Sequence, residues 1–336
     1  MAGFGWIGLY LPRMLRTWIR RARPAGTLTI ASVALLLACG GDGKGPEPTP
    51  GGGFSGELAD SLVRQLVAFG PRVPGTEAHA QALAWMTDYL RERADVVEQR
   101  PFTHVTQTGD TLELTNLWAE FNPQAGQRIL VTGHWDSRPV AENEADPANR
   151  DRPIPGANDG GSSASVILAL ADALAEDPPA IGVDLLLTDG EDWGHDPVTF
   201  STFIPDMLLG ARHFAANDGA DYRPLFGILL DLVGEDGARV PKERNSVQLA
   251  PEVVSRVWEA AADLGYGEIF EAREGRPVTD DHLILNEAGI RTIDIIDFDY
   301  PFWHTLEDTP DKLSAATMDA VGDVVLEVIR RQAGEE

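Results

Sequence analysis

Glu191 and Asp192 are adjacent carboxylates just after an apolar run that ends in Leu185-Leu186-Leu187. Short apolar runs bounded by glycine form strands buried on both faces. Ligands of open α/β sheets sit beyond the carboxyl ends of such strands. Two neighbouring negative charges there repel each other, and a cation beside them removes that cost. Taken alone, Gly-Glu-Asp is more often a solvated turn. Other residues change the balance. His134 and Asp136 follow the apolar run from Arg128 to Gly133, and Asp231 closes the run from Phe226. Asp159 stands just before a small-residue helix start, and His304 lies in the loop after the run from Arg291 to Asp297. Histidine nitrogen with carboxylate oxygen is a borderline-hard donor set that suits zinc, with manganese or cobalt as alternatives. Singly, each residue has an ordinary role: His134 or His304 in a turn, Asp231 as a cap, Asp159 on a helix dipole. Their convergence at one sheet edge requires a metal to explain it.

The elements that would bring them together follow from periodicity. A helical stripe runs through Leu58, Leu62, Leu66 and Phe69, and Thr76 caps a second helix that reaches Leu90. Val96 to Val105 and Thr111 to Phe121 read as an antiparallel pair at the sheet edge. Strands then alternate with helices: a helix from about Ser163 to Leu174, another from Val253 to Leu264, a short one from Asp280 to Glu287, and a last one from Ala315 to Arg331. This order predicts an α/β fold with a mostly parallel mixed central sheet and helices on both faces. Trp193 to Leu208 reads as a long loop, a length that is often functional.

The chain of 336 residues, 43% hydrophobic, is long enough for one large α/β domain. Its net charge of −26 excludes nucleic acid as a partner and favours cations. The single cysteine, Cys39, rules out an intrachain disulfide. Arginines 13, 16, 20, 21 and 23 precede an apolar run from Thr27 to Ala38 that is too short to span a bilayer. Leu36-Leu37-Ala38-Cys39-Gly40 then resembles a bacterial lipoprotein cleavage site. The expectation is a signal peptide over 1–39, a Gly/Pro-rich tether over 40–57 and a catalytic domain over 58–336. That places the protein in the bacterial cell envelope, anchored to the membrane through a lipid on Cys39 and facing the periplasm or the exterior.

The motifs His134-x-Asp136, Gly156-Ala157-Asn158-Asp159, Gly190-Glu191-Asp192, Leu230-Asp231-Leu232-Val233-Gly234, Asp280-Asp281-His282 and Trp303-His304-Thr305 occur in this order. The ordered set resembles the zinc aminopeptidase superfamily and, within it, glutaminyl cyclases of the animal type, including their bacterial members. The resemblance runs from about Leu58 to the C-terminus. It implies that Asp159, Asp192 and His304 hold zinc, that Glu191 is the acid/base, that Asp231 and Asp280 form a carboxylate network with it, and that Trp303 walls the substrate pocket. Asp192 replaces the glutamate of the animal enzymes with a shorter ligand. The implied reaction closes an N-terminal glutamine of a peptide or protein into pyroglutamate and releases ammonia. A dinuclear aminopeptidase is the alternative, with His134 and Asp231 completing a second metal site around Asp159. A binding lipoprotein without turnover is a third reading, which leaves Glu191 without a role.

Overall fold

The structure, a computed structural model, describes residues 53–194 and 205–334. Cys39, the segment before it and the tether to residue 52 lie outside them, as does most of the predicted loop after Trp193. Two capped helices open the described chain. Ser55 and Thr76 accept from the backbone N–H groups of Leu58 and His79 and start α1 (Gly56–Ala68) and α2 (Glu77–Arg91). The Thr76 cap is the one its sequence predicts, whereas α1 begins two residues before Leu58. The remaining elements are β1 (Val96–Val105), β2 (Thr111–Phe121), β3 (Arg128–His134), α3 (Gly161–Glu176), β4 (Gly182–Thr188), α4 (Leu209–Ala216), β5 (Phe226–Asp231), β6 (Val240–Lys242), α5 (Arg244–Leu249), α6 (Pro251–Asp263), β7 (Phe270–Glu274), α7 (Asp281–Glu287), β8 (Thr292–Ile296) and α8 (Ala315–Ala333).

The main sheet has the order β1-β2-β4-β3-β5-β8. β1 and β2 form the antiparallel edge, and β4, β3, β5 and β8 are mutually parallel. Their carboxyl ends therefore share one edge. Register sharpens this: His134 lies opposite Thr188, and Asp231 opposite Ile296. β4 and β5 flank β3 on opposite sides, so the chain reverses direction across the sheet there, the kind of point where a crevice opens.

Both faces are covered. Val131, Leu185 and Leu187 pack into the large core with residues of α1, α3, α6 and α8, and the alternating Leu130 and Leu186 meet Phe214 of α4 and Leu285 of α7. α3 is unusually close to the sheet. A Cβ on Gly133 would lie 2.9 Å from both the Leu230 carbonyl oxygen and the Ser163 Cβ. Glycine on the strand and small residues on the helix let the start of α3, and with it Asp159, reach the strand ends.

α4, α5, β6 and β7 have no counterpart in the periodicity reading. α5 and β6 span six and three residues, too short to show a period. β7 is mostly exposed and lacks alternation. α4 follows Leu208, a non-glycine residue with φ 58°, and its onset has no capping side chain to announce it.

Candidate metal centre

The structure brings the scattered residues together. His134 ends β3, Glu191 and Asp192 follow β4, Asp231 ends β5, and Asp159 stands two residues ahead of α3. His304 comes from the loop after β8, with a positive φ of 55°, a conformation that non-glycine residues adopt mainly where the surroundings enforce it. The donor atoms of Asp159, Asp192 and His304 lie within 4.8 Å of one another, as do those of His134, Asp159 and Asp231, and those of His134, Glu191 and Asp192. Asp159 belongs to two of these groups. His304 Nε2 is 3.6 Å from Asp159 Oδ2 and 3.4 Å from Asp192 Oδ1. His134 Nε2 is 3.2 Å from Asp159 Oδ1 and 3.2 Å from Asp231 Oδ1.

The donors fit a metal ion on a physical test. Asp159 Oδ2 and Asp192 Oδ2 are buried and have no hydrogen-bond partner within the protein. Buried polar atoms are normally satisfied, because an unpaired one carries its full desolvation cost. A cation at the shared oxygens removes that cost.

Electrostatics separate the two adjacent carboxylates. Burial pushes the Glu191 carboxyl well above its usual range, and the charge of Asp192 pushes it further, with Asp280 and Asp281 acting in the same direction. Burial also opposes ionisation of Asp192, but His304 and Arg138 outweigh it and hold that carboxyl below its usual range. Asp159 is raised to about 7, by burial first and by Asp192 second. The two neighbouring carboxyls are thus shifted in opposite directions, Glu191 toward its protonated form and Asp192 toward its anion.

Asp136 belongs to none of the three donor groups. Its two oxygens accept from the backbone N–H groups of Glu191 and Asp192 at 3.2 and 3.3 Å, so it fixes the turn that carries them. Asp280 caps α7 through the Asp281 N–H. Its carboxyl is pushed well up by burial and then by the charges of Asp231 and Asp281. Trp303 is half-buried and stacks on His304 with ring centroids 3.8 Å apart, and Phe298 meets Trp303 edge-on at 4.9 Å.

Four further residues shape the site, and the sequence reading does not single them out. Arg72 is fully buried and donates to the carbonyl oxygens of Trp135, Pro155, Gly156 and Asp159, tying the loop between β3 and α3 into place. Asp308 accepts from the N–H groups of Asn158 and Asp159 and from the Tyr300 hydroxyl. Glu142 accepts from Arg138 and pairs with His304 Nδ1 at 2.8 Å, while Arg138 Nη1 donates to Asp192. Burial alone would raise the Glu142 carboxyl, but the hydrogen bonds from His304 and Arg138 hold it at about 2. Proximity to a motif is the signal the sequence offers: Arg138 stands two residues beyond Asp136, Asp308 three beyond Thr305, and Arg72 lies in the stretch from Phe69 to Thr76 that also resembles the bacterial members.

Comparison with known proteins gives a consistent outcome. Residues 116–329 match peptidase family M28. Aminopeptidase YwaD of Bacillus subtilis is 26% identical over 220 residues, 62% of this chain but 42% of that protein. The crystal structure of a Zn-dependent exopeptidase from Parabacteroides distasonis superposes with a TM-score of 0.80 at 35% identity, covering 83% of this chain and 98% of that one. The glutaminyl cyclase of Bacteroides thetaiotaomicron, solved with N-acetylhistamine, gives the same score, identity and coverage.

Proposed function

Because the chain belongs to peptidase family M28, we propose that it is a zinc-dependent glutaminyl-peptide cyclotransferase, which converts an N-terminal glutamine to pyroglutamate and releases ammonia. Asp159, Asp192 and His304 would hold the zinc. When bound, zinc supplies a Lewis acid for the substrate's side-chain amide carbonyl.

The chain's own groups account for the remaining chemistry. The peptide's N-terminal amine attacks its own side-chain amide carbon, a C–N bond forms, and the bond to the departing amide nitrogen breaks. The Glu191 carboxylate takes a proton from the attacking amine and returns it to the leaving nitrogen, which departs as ammonia. Proton and atom counts balance, and Glu191 ends as it began. Burial and the neighbouring carboxylates raise its pKa, the direction that favours a group able both to accept a proton and to return it. Asp280, through its charge, helps to keep that pKa high, and Asp231 and Asp280 would serve as the carboxylate network around it. Trp303 would wall a pocket for the folded-back glutaminyl side chain. Five-membered ring closure already holds the nucleophile beside its target, so no water needs activation.

The observation that carries this reading is the Asp159/Asp192/His304 group with Trp303 stacked on its histidine, an aromatic wall beside one metal position. The likeness to a bacterial glutaminyl cyclase across most of the chain supports it. A second reading, an aminopeptidase, has its own observation: His134 and Asp231 complete another donor group on Asp159. Product analysis separates the two. With a glutaminyl peptide, the purified protein is expected to yield the pyroglutamyl peptide and ammonia; free glutamine with the shortened peptide would make it a peptidase.

A further inference from the structure

The two histidines of the metal centre are held differently. His304 is fixed from behind: its Nδ1 pairs with Glu142 Oε1 at 2.8 Å, which places the N–H on that nitrogen and leaves Nε2 as a lone-pair donor toward Asp159 and Asp192. The same Glu142 oxygen accepts from Arg138 Nε at 2.6 Å. Arg138 is 3% exposed, and its Nη1 donates to the Asp192 carbonyl at 2.9 Å and to Asp192 Oδ1 at 3.2 Å. One pair, a buried Arg138 and a half-buried Glu142, therefore touches two members of the same donor group. The pair is neutral in sum, so it fixes geometry without adding net charge.

His134 has no such support. Its Nδ1 is buried without a hydrogen-bond partner. The nearest carboxylate to that nitrogen, Asp136 at 3.5 Å, is engaged by the backbone of Glu191 and Asp192. At 3.5 Å, Asp136 holds that side of His134 more loosely than Glu142 holds His304 at 2.8 Å.

We propose that Glu142 and Arg138 are positioning residues that make Asp159, Asp192 and His304 the tighter of two overlapping metal groups, so that this group fills first. Outer partners of a metal-ligating histidine fix its tautomer, orient its ring and strengthen its donor nitrogen, typically at a cost of 10–100-fold in metal affinity when removed. The inference rests on the reading that this centre binds zinc. It does not depend on which reaction follows.

The test is zinc binding to the chelator-stripped protein without substrate, read by competition with a chromophoric chelator. Glu142→Ala is expected to weaken the first equivalent by roughly 10–100-fold. Glu142→Gln keeps an acceptor for His304 and should recover part of that loss. Asp231→Asn should leave the first equivalent as it is in the unaltered protein. A first equivalent that binds Glu142→Ala and Glu142→Gln as tightly as the unaltered protein overturns the proposal, and so does one weakened by Asp231→Asn instead. Should Glu142→Ala fail to fold, Glu142→Gln decides: weaker binding supports the proposal and unchanged binding overturns it. Failure of the cyclase reading would appear in the products and leave these affinities untouched.

Discussion

Glu191 and Asp192 are chain neighbours with opposite electrostatic fates, and such divergence within one site separates a proton carrier from a ligand. Replacing Glu191 with Gln should leave the metal in place and lower turnover by about two or more powers of ten, the scale of a positioned acid/base. His304→Ala should lose the metal itself. Metal analysis beside steady-state rates checks both, and equal metal loss in the two variants would make Glu191 a ligand. His134, Asp159, Glu191, Asp192, Asp231 and His304 were legible in the sequence because each closes, follows or precedes a recognisable run. Arg72, Arg138, Glu142 and Asp308 were not. They act through loops, and a loop's hydrogen bonds with residues 63 or 150 positions away leave no period to read. Asp136 was legible as a member of the cluster but not in its role, which is to accept two backbone N–H groups.

The placement of Asp159 depends on how closely α3 approaches β3. Gly133→Ala would set a methyl group 2.9 Å from the Leu230 carbonyl oxygen and the Ser163 Cβ, so helix or strand must shift. Overpacking of this kind costs about 1–3 kcal/mol, or roughly 2–4 °C in Tm for each kcal/mol in a chain of this size. A thermal melt measures the loss, and an unchanged Tm would show that the helix can move aside freely. The parallel core strands and the long helices were readable because each buries a full stripe or a continuous apolar run. The small β6/β7 sheet was not, because strands of three and five residues, each with only its first residue buried, carry no alternation. The antiparallel β1/β2 edge was readable from its two consecutive β-type runs.

The largest consequences of the composition concern where the protein works. We propose that it is a lipoprotein anchored through Cys39 and facing out of the cytoplasm, since one cysteine falls where an acylated N-terminus would be created and dual acylation suffices for stable anchoring. Cys39→Ser should move the protein from the membrane fraction to the soluble fraction. Soluble unaltered protein beginning well downstream of Cys39 would refute the anchor. The family was legible because its motifs keep their order along the chain, whereas cyclase and peptidase share that order, and on the proposed reading they would differ in how many metals the centre uses. The most direct measurement is therefore a zinc titration of the chelator-stripped protein, assayed in parallel with a glutaminyl peptide and with Leu-p-nitroanilide. The expected result is full conversion activity with ammonia release at one zinc per chain, and poor cleavage of the leucyl substrate throughout. Leucyl hydrolysis that appears only with a second equivalent, with no ammonia from the glutaminyl peptide at any ratio, would contradict the account.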